Sequence, residues 1–321
     1  MNSTFSSSPR VPVRPLRRAV VLTAIMLVLP ALGSANADEL FKTPQEAVEA
    51  LVNAVKSGDR RAMLTVLGRR GFDIVSSGDP VADIEARQRF LAAYDAKHQV
   101  TMESEHKAAL VVGAEDFPFP IPVVRKGRAT WAFDTEAGRY EILRRRIGRN
   151  ELAAIQSCLA YVDAQNEYAE KGHDGAASGI YAQRIVSRAS KQDGLYWPTV
   201  QGEDASPLGE LVARATSEGY RFDAGQAPFH GYYYKILTNQ GPNAAGGALN
   251  YIVGGKMLGG FALIAYPAEY RNSGVMTFIV SHQGTIFQKD LGKQTANIIR
   301  HITSFNPNST WKKVDRAALP K

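Results

Sequence analysis

The stretch Asp134–Lys171, DTEAGRYEILRRRIGRNELAAIQSCLAYVDAQNEYAEK, decides the fold. It contains no proline, and Tyr140, Leu143, Ile147, Leu152, Ile155, Leu159 and Val162 recur at helical spacing. Asp134 or Thr135 caps its start, and Lys171-Gly172 supplies a basic last turn and a stop. Glu141 with Arg145 and Glu167 with Lys171 are favourable pairs four residues apart. A helix of this length reaches roughly 50 Å, enough to cross a whole domain. Gly148 costs about 1 kcal/mol inside it and is the expected place for a bend. The chain before this helix and the chain after it read as two half-structures.

Upstream, residues 38–133 read as an α+β lobe. Thr43-Pro44-Gln45-Glu46 is a capping box with proline at the first helical position, opening a helix to about Ser57. Asp59 caps a second helix ending near Gly68, and Asp79-Pro80 opens a third from Val81 to about Ala96. Short alternating stretches follow at Val100–Glu103, Ala108–Val112, Ile121–Val124 and Thr130–Phe133, with Lys126-Gly127 as a hairpin turn. Pro118, Pro120 and Pro122 make the intervening segment an edge or loop. This order resembles the nuclear-transport-factor-like cone.

Downstream, residues 172–321 read as loops and short helices followed by an antiparallel sheet packed on the long helix. Gly172–Gly179, Ile180–Ser187 and Asp193–Pro198 are irregular, and Ser206-Pro207 starts a helix through about Ser217. Strands are expected at Tyr232–Leu237, Phe261–Ala265, Val275–Val280 and Thr285–Gln288, then a last helix at Thr295–Ser304. Seven glycines in Gly241–Gly260 suit a sheet-edge loop better than a phosphate cradle, because Gly255-Lys256 lacks the remaining P-loop residues.

Residues 1–37 read as a secretory signal peptide. Four arginines precede the apolar run Ala19–Leu32, and Ala35-Asn36-Ala37 is a cleavage site, with cutting expected after Ala37. The run amounts to roughly 21 Å of helix, too short for a ~30 Å hydrocarbon core. Leu16-Arg17-Arg18-Ala19 is a partial twin-arginine pattern, so the general export route is expected. The mature chain has no apolar segment long enough to span a bilayer. The pI near 9.4 owes much to this leader. Taking its four arginines from 38 Lys+Arg leaves 34 against 31 Asp+Glu, a net of +3. That disfavours nucleic acid as a partner. Cys158, the one cysteine, falls on the apolar side of the long helix and reads as a buried small hydrophobe.

No residue set announces a reaction. The six histidines lack metal-ligand spacing, and no G-x-S-x-G, P-loop or G-x-G-x-x-G is present, so neither a metal nor a cofactor is expected. The run Arg144–Arg149 either pairs with Glu141 and Glu151 or, through Arg146 and Arg149, holds an anionic partner. Asn150, Glu151, Gln165 and Tyr168 form a polar cluster that either binds a ligand or satisfies the loops packed on the helix. Asp193, Tyr196 and Trp197 either stack a sugar or peptide or pin their loop to the core. Lys289 and Asp290 end the last strand and read either as a surface ion pair or as binding residues.

RRIGRNELAAIQSCLAYVDAQNEYA, DGLYWP, SPLG, GYYYKILTNQGPNAAGG and GGFALIAYPAEYRNSGVMTFIVSHQGTIFQKDLG together resemble the bacterial exported family catalogued as domain of unknown function 2950 (DUF2950). The likeness runs from about Phe41 to Trp311, and Arg271 stands where that pattern carries glycine. It implies an exported protein of bacteria with a double membrane and no assigned activity. A second likeness, over about Asn150–Asp290, is to the head domain of pilin-like proteins. A pilin's helix begins as an apolar membrane segment, whereas this one is internal and charged, so that likeness is one of fold and not of filament assembly. The expected function is a periplasmic, non-enzymatic binding or scaffold module acting on envelope proteins or polymers. The alternative is an envelope-directed hydrolase using carboxylates such as Glu151 or Asp193.

Overall fold

The computed structural model describes residues 39–175, 177–199, 202, 204–222, 227–315 and 317. The expected signal peptide and its cleavage after Ala37 lie outside the described residues. The protein is α+β, as the pattern of elements predicts.

Helix α1 (Pro44–Ser57) starts where Thr43 Oγ1 accepts the Glu46 N–H at 3.1 Å. The Glu46 carboxylate reaches back to the Lys42 N–H at 2.9 Å, one residue before the capping residue itself. Its face Ala47, Val48, Leu51 and Val52 is buried against Met63, Val66 and Leu67 of α2 (Arg60–Leu67). A short turn of helix, α3 (Phe72–Val75), leads to α4 (Pro80–Ala96). Then come β1 (His98–Ser104), β2 (Lys107–Val112), β3 (Phe117–Pro118), β4 (Val123–Lys126) and β5 (Thr130–Phe133). They form an antiparallel sheet of order β1-β2-β4-β5 with β3 on β2. Leu110, Val123, Trp131 and Phe133 complete this lobe's core. Strand β4 begins two residues later than expected, past Pro122, which has no N–H for the ladder.

Helix α5 (Thr135–Lys171) is continuous, Gly148 included. Asp134 Oδ1 accepts the Ala137 N–H at 3.3 Å, and Gly172 (φ 67°) ends it. Its N-terminal turn is fixed to the first lobe by Thr135 Oγ1, which donates to the Leu67 carbonyl at 2.6 Å. The C-terminal half buries Ala154, Ile155, Cys158, Tyr161, Val162 and Gln165. Tyr140, counted on the apolar face from spacing, is instead 76% exposed.

Among the described residues, 172–205 contains no helix, and α6 (Gly209–Ser217) starts three residues beyond Ser206. The strands that follow are β6 (Tyr232–Leu237), β7 (Asn239–Gln240), β8 (Leu249–Asn250), β9 (Ile252–Val253), β10 (Lys256–Met257), β11 (Ala262–Pro267), β12 (Met276–Ser281) and β13 (Ile286–Asp290). Helix α7 (Thr295–His301), β14 (Ser304–Phe305) and β15 (Lys312–Lys313) close the order. The main sheet is antiparallel, β15-β13-β12-β11-β6, with Leu263 opposite both Val280 and Ile236. Ala262–Ala265 are all buried, so both faces of β11 are covered, and α5, α7 and β14 supply the cover. A second small sheet, β14-β7-β8, includes a parallel pair. That pairing draws Ser304 into a strand, which is why α7 stops at His301 rather than Ser304.

Candidate functional site

Helix α4 buries none of its 17 residues. Asp79 caps it, with Oδ1 accepting the Val81 and Ala82 N–H groups at 3.2 and 3.1 Å. Its apolar residues are spread around the circumference: Ile84 points outward at 49% exposure while Ala82, Ala86 and Phe90 line a cavity of about 700 Å³. Leu51 and Val55 of α1, Met63 of α2, Phe119, and Ile142 and Leu152 of α5 are among the other residues of the apolar wall.

The cavity's polar side comes from α4 and α5. Arg146 is held by three uncharged acceptors, the carbonyls of Asp73 and Ile74, each at 2.6 Å, and Asn272 Oδ1 at 2.5 Å. Burial pushes its guanidinium down, while the charges of Asp83 and Asp73 pull it back up. Both oxygens of Asp83 accept the Ser77 N–H at 3.1 Å, and burial raises this carboxyl above the ordinary range against the pull of Ser77, Arg146 and Arg87. Glu85 is paired with Arg89. Arg87 and Arg149 make no hydrogen bond or ion pair among the described residues. Partial burial and then the neighbouring Arg89 lower the Arg149 guanidinium. Four arginines thus face two acids beside an apolar wall. His230, one of the six histidines without metal-ligand spacing, also lines the cavity, at φ 48°.

The same region joins the two lobes. Asp79 is 1% exposed, and its second oxygen accepts the Gly231 N–H at 2.8 Å and the Tyr220 hydroxyl at 3.0 Å. Burial and the Asp79 charge both push the Tyr220 phenol far up. Asn272 donates to the Ser76 carbonyl at 2.8 Å and to Glu269 at 2.7 Å. Asn150 Nδ2 donates to the Ser273 carbonyl at 2.9 Å, beside the cavity.

The remaining sequence candidates lie elsewhere. Glu151 Oε1 accepts the N–H groups of Val275 and Met276, each at 3.0 Å, and so holds the start of β12 rather than pairing with an arginine. Arg144 and Arg145 both pair with Glu141, whose carboxyl they hold down at about 2. Gln165, 0% exposed, donates to Tyr161 Oη at 3.0 Å and the Ala182 carbonyl at 2.8 Å and accepts the Ala182 N–H at 2.9 Å. Tyr168 donates to the Gln192 carbonyl at 2.6 Å. Both side chains therefore fasten the 172–198 segment to α5. Trp197 is buried, 5.0 Å from His173 and 6.4 Å from Tyr168 between ring centroids, and pins that segment. Tyr196, half-buried, borders an open groove of about 1190 Å³ with Arg184, Arg188 and Lys191. Asp193 pairs with Arg188; burial pushes its carboxyl up, and the Arg188 N–H and guanidinium outweigh that and hold it below the usual range. Lys289 and Asp290 do not pair, because neighbouring strand residues point to opposite faces. Lys289 donates to Thr310 Oγ1 at 2.8 Å, and Asp290 accepts from Tyr270 Oη at 3.1 Å and from the Gly292 N–H at 2.7 Å.

Of the residues the sequence singles out, Arg146, Arg149 and Asn150 line the cavity; Asp83 and Arg87 line it too without a sequence signal, and Asp79 lies beyond it in the joint between the lobes. Asp79 was legible as a helix cap; its other partners lie 141 and 152 residues away. The described residues contain no group of three or more His, Cys, Asp or Glu side chains arranged to hold a metal ion. No helix among them is long and apolar enough to cross a membrane.

Fold and cavity define an α+β protein of two lobes, joined by one long helix and a shared polar network, with an arginine-bordered cavity where they meet. Residues 38–314 match the family described as "Protein of unknown function (DUF2950)", and the chain belongs to that family. No curated protein and no solved structure matches the chain, so the likenesses to the nuclear-transport-factor-like cone and the pilin head rest on element order alone.

Proposed function

We propose that this is an exported, non-enzymatic binding module of the bacterial cell envelope, working in the periplasm after cleavage at Ala37. The observation that carries the binding part is the cavity between α4 and α5, with an apolar wall and two unengaged arginines at its border. Its volume, about 700 Å³, lies within the range of small-molecule sites. Export is supported by the charged, apolar and small-residue order of residues 1–37. The hydrolase reading has less behind it. Glu151 is engaged by two backbone N–H groups, and Asp193 by Arg188, which holds its carboxyl below the usual range and so away from the work of a general acid.

The test is fractionation of the native cells with N-terminal sequencing, followed by crosslinking of the exported protein in its envelope. A periplasmic chain beginning at Asp38 with a specific crosslinked partner or ligand is expected. A cytoplasmic chain with its first 37 residues intact overturns the export reading. Turnover of cell-wall or lipid material that is lost in Glu151→Gln or Asp193→Asn overturns the non-enzymatic one.

A further inference from the structure

The geometry points to a single-chain anionic amphiphile as the ligand of the α4–α5 cavity, its apolar tail among Leu51, Val55, Met63 and Phe90 and its anionic head at Arg149. This inference rests on reading the protein as a binding module and adds the chemical class of what is bound.

Three observations converge on it. The wall is apolar over most of its extent and lies beside four arginines and only two acids. A neutral ligand leaves that imbalance untouched, and a cation worsens it. Second, the charges are not equally available. Arg89 is engaged by Glu85, and Arg146 is buried and bonded to three carbonyl-type oxygens. Asp83, the acid whose charge acts most on Arg146, is itself bonded to the Ser77 N–H. Arg87 and Arg149 remain with donors uncommitted, one half-buried on α4 and the other exposed on α5. The uncommitted guanidinium of Arg149 suits a carboxylate or a phosphate monoester, either of which it can hold by a bidentate, charge-assisted pair of hydrogen bonds. Third, an access route exists. Helix α4 forms one wall and has no fully buried residue, its core contacts being the partly buried Phe90, Leu91, Ala93 and Tyr94, so it can shift without uncovering a fully buried side chain of its own.

The shared chemistry is an anionic head on one alkyl chain; a fatty acid and an alkyl phosphate both have it. Sodium dodecanoate and dodecyl phosphate, kept below their micelle concentrations, are the two arms, with neutral 1-dodecanol as the control. Each is titrated calorimetrically into the full chain and its Arg149→Glu variant. That residue is exposed and makes no bond among the described residues, so the variant retains the fold; burial of Cys158 against thiol reagent verifies this.

Expected is binding of one anion per chain, weakened about tenfold or more by Arg149→Glu, the weight of one charge-assisted hydrogen bond. Dodecanol should bind more weakly and be indifferent to the variant. Whichever anion binds more tightly identifies the head group. Equal binding of dodecanoate and dodecanol, or anion binding unaffected by Arg149→Glu, overturns the head-group assignment and leaves the binding-module reading in place. No binding of any of the three overturns the inference outright. The module reading then stands or falls separately, on the crosslinking and turnover assays.

Discussion

Two glycines on α5 give the same substitution opposite signs. Gly148 lies in the middle of the helix, exposed, and a Cβ added there meets nothing within 4 Å. Replacing it with alanine removes backbone freedom from the unfolded chain, and the gain is about 0.8–1 kcal/mol. Gly138, one turn into the same helix, is buried against the first lobe. A Cβ there lies 2.6 Å from the Pro120 carbonyl oxygen and 2.7 Å from the Ile121 Cα. Those are backbone atoms, so no rotamer change relieves the contact and the helix must move off the sheet. Overpacking of this kind costs about 1–3 kcal/mol, which exceeds the propensity gain. Urea unfolding followed by tryptophan fluorescence measures both, because Trp131 and Trp197 are buried, one in each lobe. Gly148→Ala should raise the midpoint and Gly138→Ala lower it. At ten residues' separation the double variant should be additive within about 0.5 kcal/mol. A Gly138→Ala protein as stable as the parent would refute the close approach of α5 to the Pro120–Ile121 backbone. Loss of stability in Gly148→Ala would refute an unstrained helix at that point.

Asp79→Ala should destabilise by about 3–5 kcal/mol, since it removes a helix cap and leaves the buried Gly231 N–H and Tyr220 hydroxyl without their acceptor. Tyr220→Phe in the same background should cost much less than in the parent, and strict additivity in denaturant titrations would argue against the Asp79–Tyr220 bond. Cys158, fully buried with its thiol pushed up to about 12 by burial, should be inert to a disulfide reagent at pH 8 until the protein unfolds; prompt labelling of the native chain would contradict its packing under the sheet. Glu141, held at about 2 by Arg144 and Arg145, contributes stability that is present above its ordinary 4.5 and lost as pH falls toward 2; a carboxyl NMR titration with a midpoint near 4.5 would show those pairs do not persist in solution. Arg271, at φ 63° with its N–H donating to the Gly274 carbonyl at 2.8 Å, occupies a left-handed turn position. Arg271→Gly should raise the urea midpoint by about 0.5–1 kcal/mol in stability, and a fall would show that stacking over Tyr270 outweighs the backbone strain.

The long helix was legible because everything that defines it is local: a capping aspartate, an uninterrupted proline-free run, and a glycine at the stop. Strand β5 and strand β6 were legible for the same reason, their alternation being bounded by turn residues. The two-residue strands β14 and β15 carry no pattern of their own and exist only because β7 and β13 offer them an edge. Gln165 shows a second limit. A glutamine at a core position looks like a site, and only the structure shows that residue 182, in an irregular segment, uses both ends of its amide. Arg271 shows the reverse: the pattern of related sequences pointed to a backbone position favouring glycine, and the positive φ gives the reason.

The cavity was the least legible feature because it arises from an absence of packing. Helix α1 concentrates its apolar residues on one face and buries it; α4 is longer, yet its Val81, Ile84, Phe90, Leu91 and Tyr94 are distributed around the barrel of the helix and none is buried. A helix that cannot present one face to a core cannot fill the space beside it, so the volume between α4 and α5 stays open. Such a helix needs support at its ends. Asp79 supplies it at the N-terminus through two capping bonds, and at the C-terminus the Gly113 N–H donates to the carbonyls of Ala93 and Lys97 at 3.0 and 2.8 Å. Because Asp79 also accepts from Gly231 and Tyr220, the end of the helix that walls the cavity is fixed to the opposite lobe. Any movement of α4 that opens the cavity is therefore resisted at the N-terminal end by the lobe joint. Elsewhere it is resisted by half-buried contacts such as Phe90 on Phe119, 5.3 Å between ring centroids, by the exposed Asp95–Lys56 pair to α1 and by the Gly113 bonds at its C-terminal end. The four charge-assisted bonds to the buried Asp79 are the stronger anchor, so opening should proceed from the C-terminal end, and hydrogen exchange should find the amides near Tyr94 less protected than those near Ala82.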